Sequence, residues 1–181
     1  MKIAGCCLYT YKLLGENTAL INCQACPENL NSFLEEPDIK SIWEFIDADS
    51  SFVFPDYNHQ KMQLVDCYRD RHQKEEHEAI RSILNKMNID IVELEYNKEN
   101  ANFCGIKHYE PVSKENIQLL SEQKEDKLSH MSKEVQTALM KEYAEQLIYP
   151  AITYCNTCTQ GIELAEKEVH HLLELLMRDK V

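Results

Sequence analysis

From residue 61 onward the sequence alternates short apolar runs with longer amphipathic stretches, and the apolar runs end at cysteine. Met62-Gln63-Leu64-Val65 delivers Asp66-Cys67, and Pro150 to Tyr154 delivers Cys155-Asn156-Thr157-Cys158. Between them, Gln73 to Met87 puts Ala79, Ile80, Ile83, Leu84 and Met87 on one helical face, with Asn88 as a stop. Ile89 to Leu94 alternates as a strand, and the polar loop from Asn97 to Asn102 ends in Phe103-Cys104-Gly105. Ser113 to Gln123 and Ser132 to Ile148 read as helices, the second with Ser132 as N-cap. Gln160 to Lys180 reads as one long amphipathic helix, with Ile162, Leu164, Ala165, Val169, Leu172, Leu173 and Leu176 apolar. The order β-α-β-(α-α)-β-α predicts an α/β fold, an open and mostly parallel sheet flanked by helices.

The first sixty residues read as a smaller unit. Lys2-Ile3-Ala4 is a short strand candidate, and Thr18-Ala19-Leu20-Ile21 is a second that runs into Cys23-Gln24-Ala25-Cys26. Pro27 suits the first turn of a helix over Glu28 to Leu34, and Pro37 breaks it. Ile39, Ile42, Trp43 and Ile46 then recur at helical spacing, with Trp43 as a packing residue, and 47–60 reads as loop. The expected division is a short N-terminal cysteine-containing α/β remnant over 1–60 and a main cysteine-rich domain over 61–181.

Composition narrows the chemistry. The chain has eight cysteines but only four glycines, and at 181 residues it is long enough to bury a core without cross-links. No apolar run approaches the ~18 residues of a membrane-spanning helix. The apolar stretch at the N-terminus is short for a signal peptide, so a cytoplasmic location with reduced thiols is expected. The net charge of -12 argues against nucleic acid or an anionic membrane as main partner. There is no P-loop, no GxGxxG and no Ser/His/Asp arrangement.

The cysteines carry the chemistry that remains. In a parallel sheet the loops after strand C-termini collect along one edge, so Cys67, Cys104 and the pair Cys155/Cys158 can converge. CxxC spacing lets two thiols face one metal, and a following helix N-terminus stabilises negative charge there. Gly105 lets the backbone come close. Such a set serves a [4Fe–4S] cluster, a zinc-binding structural or interaction module, or a metal-free thiol–disulfide pair, and spacing alone leaves the three open. Cys6, Cys7, Cys23 and Cys26 form a second candidate metal set. Among other residues, His72 is a minor ligand candidate, and His77 is expected on an exposed helix face. His170-His171 point apart on a helix, while Glu75-Glu76 to Arg81 reads as a solvated face. Arg69 and Arg71 could offset cluster charge or bind an anion.

Taken together, Leu64-Val65-Asp66-Cys67, Asn102-Phe103-Cys104-Gly105 and Tyr154-Cys155-Asn156-Thr157-Cys158 resemble the cysteine-rich CCG domain family of heterodisulfide reductase over residues 61–180. That domain has a leading Cys, a Cys-Cys-Gly and a final CxxC. It also occurs in iron–sulfur subunits of glycolate oxidase, lactate-utilisation and anaerobic glycerol-3-phosphate dehydrogenase complexes. Ala19 to Cys26 resembles the end of a shortened first copy, with Ile39 to Ile46 as its connector. The resemblance implies an iron–sulfur electron-transfer protein, an oxidoreductase subunit, with one [4Fe–4S] cluster on Cys67, Cys104, Cys155 and Cys158. A second cluster or zinc at Cys6, Cys7, Cys23 and Cys26 is left open. It further implies a flavoprotein or iron–sulfur redox partner, an oligomeric complex, and a disulfide as one terminal acceptor. Phe103 stands where the family has the first cysteine of Cys-Cys-Gly. Four cysteines suit a cubane cluster and electron relay, whereas the family's complete five-cysteine motif holds the noncubane cluster that cleaves disulfide.

Overall fold

The structure is a computed structural model that describes residues 40–125 and 127–177, together with Lys2–Ala4 and Thr18–Leu20. Cys6, Cys7, Cys23, Cys26 and the helix expected over Glu28 to Leu34 lie outside the described residues. Strands β1 (Lys2–Ala4), β2 (Thr18–Leu20) and β3 (Lys40–Ser41) pair in parallel in the order β1-β2-β3. Helix α1 (Ile42–Ala48) follows. Ser41 caps it by accepting from the Glu44 N–H, and the Glu44 carboxylate accepts from the Ser41 N–H in return, a complete capping box.

The main sheet contains β4 (Gln60–Leu64), β5 (Ile89–Glu93), β6 (Ala151–Thr153) and β7 (Val169–His171), all parallel, in the order β5-β4-β6-β7. The expected α/β class with an open parallel sheet holds. Helix α2 (Lys74–Lys86) joins β4 to β5, and α5 (Asn156–Leu164) joins β6 to β7. These two crossovers run in opposite directions along the sheet, so right-handed connections put their helices on opposite faces. On one face α1 packs on α2, and Lys86 of α2 holds the Asp47 carboxylate of α1 at 2.7 Å. On the other, α4 (Lys133–Ala144) packs on α5, with α3 (Lys114–Ser121) against α4.

Local chemistry explains most element ends. Helix α2 stops where Asn88 takes a left-handed φ of 52°, a conformation asparagine tolerates. Ser113 and Ser132 cap α3 and α4 by accepting from the N–H groups of Asn116 and Val135. Buried Gln63 of β4 accepts from the Ile148 and Tyr149 N–H groups and donates to the Gln146 carbonyl, which fixes the chain entering β6. The core is continuous from Trp43 through Met62, Leu64, Ile80, Leu84, Leu139 and Ile152 to Leu176, so each layer is held by apolar burial.

One expected element breaks into three. The long helix over Gln160 to Lys180 is instead α5, then β7, then α6 (Leu172–Met177). Helix α5 ends in a Schellman turn: the Lys167 N–H donates to the Ile162 carbonyl at 3.3 Å and the Glu166 N–H to the Glu163 carbonyl at 2.9 Å. Glu166 carries the left-handed φ of 61° that this turn needs, without the usual glycine. Past the turn, Val169–His171 pairs with Ala151–Thr153. His170 and His171 are therefore adjacent strand residues that face opposite sides of the sheet.

Glu142 of α4 anchors the segment before α3. It accepts from the Tyr109 hydroxyl at 3.0 Å, the Val112 N–H at 2.6 Å, the Asn116 amide at 2.7 Å and the Ser113 hydroxyl. Burial alone would raise its carboxyl, but these donors outweigh it and hold the pKa at about 2, against an ordinary 4.5.

Glu166→Gly removes a left-handed side chain at the loss of only an exposed pair to Lys141, and should stabilise the chain by about 0.5–1 kcal/mol in urea unfolding. An unchanged or lowered midpoint would count against the Schellman reading. Because the folded pKa of Glu142 is depressed, its stabilisation is present above 4.5 and lost as pH falls toward about 2. Amide protection at Val112 and Ser113 should fall across that window, and Glu142→Gln should flatten the fall.

Candidate metal centre

Parallel register alone brings two of the cysteines together. Leu64 of β4 lies opposite Ile152 of β6, and Cys67 and Cys155 each follow three residues later. The two strands leave the sheet at the point where its order reverses, because β4 connects outward to β5 and β6 outward to β7. Crevices at such a reversal are where open α/β sheets place their sites. Cys158 follows in the first turn of α5, and the loop after β5 carries Cys104 into the same place.

The four Sγ atoms of Cys67, Cys104, Cys155 and Cys158 all lie within 4.8 Å of one another, and all four side chains are free and buried. The Cys67 and Cys104 sulfurs lie 3.4 Å apart. Among the described residues this is the only group of three or more His, Cys, Asp or Glu side chains close enough to hold a metal ion together.

A buried carboxylate fixes the loops that carry these thiols. Asp66 accepts from Arg81 of α2 at 2.6 and 3.3 Å, from the Lys98 N–H at 2.8 Å and from the Tyr154 hydroxyl at 2.9 Å. The Tyr154 oxygen in turn accepts from the Cys67 N–H at 3.3 Å. Asp66 precedes Cys67, Lys98 opens the turn that leads to Cys104, and Tyr154 precedes Cys155. Burial works to raise the Asp66 carboxyl, but Arg81 and the Lys98 N–H prevail and keep it ionised below its ordinary range.

The Cys104 turn is pressed against α5. Gly105 has a φ of 52°, and a Cβ there would come 1.7 Å from the Thr157 carbonyl oxygen. Gly161 meets it from the helix, since a Cβ there would lie 2.7 Å from the Gly105 Cα. The expected close approach at Gly105 is therefore met by a second glycine one helical turn beyond the CxxC. Thr157, inside the CxxC, lies with its hydroxyl 3.2 Å from the Cys104 sulfur and 3.1 Å from that of Cys155. The Phe103 carbonyl accepts from the Tyr68 N–H at 2.8 Å, while its ring stacks on Tyr143 at 3.6 Å and 6°. Phe103 is thus committed to an aromatic pair in the α4 layer.

Burial pushes the Cys158 thiol well up, and hydrogen bonding with Cys104 and Cys155 does the same to Cys67. Cys155 is driven down, because the Cys104, Cys158 and Cys67 thiols donate toward it. Four sulfurs this close and this buried cannot all ionise without a cation among them. The donor set fits one: soft thiolates select zinc or iron–sulfur centres. A single tetrahedral ion with metal–sulfur bonds of about 2.3 Å holds its sulfurs roughly 3.8 Å apart, which lies within the observed spread. A [4Fe–4S] cluster gives each thiolate its own iron and needs a wider spread.

The surrounding residues depart from expectation in three places. His77 is buried, 3.4 Å from the buried Asp70 carboxylate, rather than on an exposed face. Glu76 is buried and Arg81 serves Asp66 and Glu93, so these two turn inward rather than into solvent, while Glu75 and Glu78 are exposed as expected. His72 is exposed and does not join the four sulfurs. Arg71 lies over the Tyr68 ring at 3.6 Å, and that ring stacks on His108 at 3.6 Å. Sequence reasoning does not find Asp66, Tyr154 and Thr157. Their only signal is adjacency, each lying next to or between the cysteines.

No protein-family model matches the chain, and no curated protein or solved structure matches it at a significant level.

Gly105→Ala should cost about 3 kcal/mol or more, since it combines a left-handed side chain with a clash against backbone. The measurement is the urea midpoint at fixed pH. A loss under about 1 kcal/mol would mean that the Cys104 turn is not seated on α5 in this way.

Proposed function

We propose that this chain binds an iron–sulfur centre through Cys67, Cys104, Cys155 and Cys158, whose sulfurs would move apart to take a [4Fe–4S] cluster, and relays electrons in a redox complex like that of heterodisulfide reductase. The observation that carries the reading is the convergence of four free, buried thiols from three strand ends at the sheet's order reversal. A core that runs unbroken around the site argues against an ion needed merely to fold the chain. Free buried thiols suit a reducing compartment, here the cytoplasm. Among the described residues no helix is long and apolar enough to cross a membrane.

An iron–sulfur cluster, when bound, supplies one-electron transfer. The chain's own residues supply the rest. The Asp66–Arg81–Tyr154 network holds the ligand loops, Thr157 offers a hydroxyl to two of the sulfurs, and the first-turn amides of α5 lack helical partners. Relay is favoured over disulfide cleavage because the Phe103 ring is committed to Tyr143. The electron donor would be a flavoprotein or an iron–sulfur protein within an oligomeric complex. Cys6, Cys7, Cys23 and Cys26 would form a second, N-terminal metal set.

The sulfur spacing favours a second reading, a zinc-binding structural or interaction module. Anaerobic purification followed by iron, sulfide and zinc analysis separates the two. The iron–sulfur reading expects a brown protein with about four irons per centre, lost in each of Cys67→Ser, Cys104→Ser, Cys155→Ser and Cys158→Ser. One tightly held zinc and no visible absorption would establish the second reading. Metal-free, colourless protein after reconstitution, with a Cys67–Cys104 disulfide in air, would overturn both.

A further inference from the structure

The turn that carries Cys104 has a second face. The Cys104 N–H donates to the His108 carbonyl at 2.7 Å, and the Lys107 N–H donates to the Cys104 carbonyl at 3.0 Å. This tight turn forms one wall of a cavity of about 530 Å³, within the range of small-ligand pockets. The opposite wall is the 3₁₀ turn Leu128–His130.

The cavity's chemistry is unlike that of the rest of the chain. Arg69, Lys107 and Lys127 line it together with His108 and His130, and among the described residues no acidic one does, although acids outnumber bases 31 to 19 overall. None of the ion pairs among the described residues involves Arg69, Lys107 or Lys127. At the rim His130 faces Glu125 at 3.8 Å, and Glu110 acts on His108. The Arg71–Tyr68–His108 stack holds the His108 ring in the wall. The remaining lining is mainly apolar: Tyr109, Leu120, Leu128 and Met131. Three Lys and Arg side chains gathered in a concave, partly apolar site, none of them in an ion pair with a described residue, are arranged for a ligand of opposite charge.

We propose that this cavity binds a small organic anion, a carboxylate or phosphate monoester with an apolar body. The anionic group is taken by Lys107, Lys127 and Arg69, and the apolar body rests on Tyr109, Leu128 and Met131. The site adjoins the cysteine centre through the Cys104 turn, yet it does not depend on which metal the cysteines hold.

The test uses the full chain and phenyl phosphate as probe, followed by calorimetry at low ionic strength. Metal content is measured on the same samples, so that a failure here is distinct from a failure of the iron–sulfur reading. Phenyl phosphate should bind saturably at one site, and more weakly as salt rises, while neutral benzyl alcohol at the same concentrations should not bind. Lys107 and Lys127 are exposed, so Lys107→Gln and Lys127→Gln should fold normally. Each should weaken binding several-fold and the pair about tenfold or more, as expected for lost charge-assisted contacts. Lys61→Gln, an exposed lysine on β4, should leave binding unchanged. Absence of saturable binding, equal binding of benzyl alcohol, or an unaltered affinity in the double variant would overturn the proposal.

Discussion

The Asp66 carboxylate is the constraint on which the site depends. A buried carboxylate is expensive to ionise unless it is fully hydrogen-bonded, and here four donors from three separate segments meet that demand. The requirement works in reverse as well. Because Asp66 must find those donors, α2 has to present Arg81, the 3₁₀ turn at Lys98–Asn100 has to come under the sheet edge, and β6 has to end at Tyr154. Each of those segments leads to, or leaves from, a cysteine. Desolvation of one charge thereby sets the meeting point of thiols that lie up to 91 residues apart, from Cys67 to Cys158.

Packing then fixes the closest approach. The Gly105 and Gly161 pair removes the side chains that would hold the Cys104 turn off α5, and the Phe103–Tyr143–Tyr109 aromatic group clamps the turn's other flank. Glu142 draws the chain after that turn onto α4 through Tyr109, Val112, Ser113 and Asn116. The charged stretch between Cys104 and Cys155 is therefore no idle spacer. It forms the second helical layer and also the far wall of the basic cavity.

How much of this is legible in the sequence follows from what each signal measures. Strand ends at Cys67 and Cys155, the Asn88 stop, the Ser132 cap and the close approach at Gly105 are readable, because each depends on a few adjacent residues with a specific conformational or bonding need. Gln160 to Lys180 reads wrongly as one helix because periodicity records one-sided burial. Val169, Leu172, Leu173 and Leu176 satisfy a helical stripe as well as they satisfy a strand followed by a new helix. The decisive break, Glu166 in a left-handed turn, carries no glycine or asparagine to announce it. Local pattern sends His77 and Glu76 to solvent because polar residues on an amphipathic helix usually lie there. His77 is buried against Asp70, in the loop before the helix, and Glu76 is buried on the core side of α2, neither of which local pattern can supply.

Charge is distributed around the centre in a way that suits an anionic group of thiolates. Beneath it, Asp66 is balanced by Arg81, while burial raises the carboxyls of Asp70 and Glu76 toward their neutral forms. In the chain, Arg69, Arg71 and Lys107 come within two to four residues of Cys67 or Cys104. Four thiolates around a divalent ion carry a net charge of minus two, and a reduced iron–sulfur centre is also negative. The Asp66–Arg81 pair beneath the site keeps that carboxylate compensated, which lowers the electrostatic cost of holding thiolate charge nearby. Two of these cations, Arg69 and Lys107, also line the neighbouring cavity, so positive charge on the cysteine-bearing loops would serve an anion there as well.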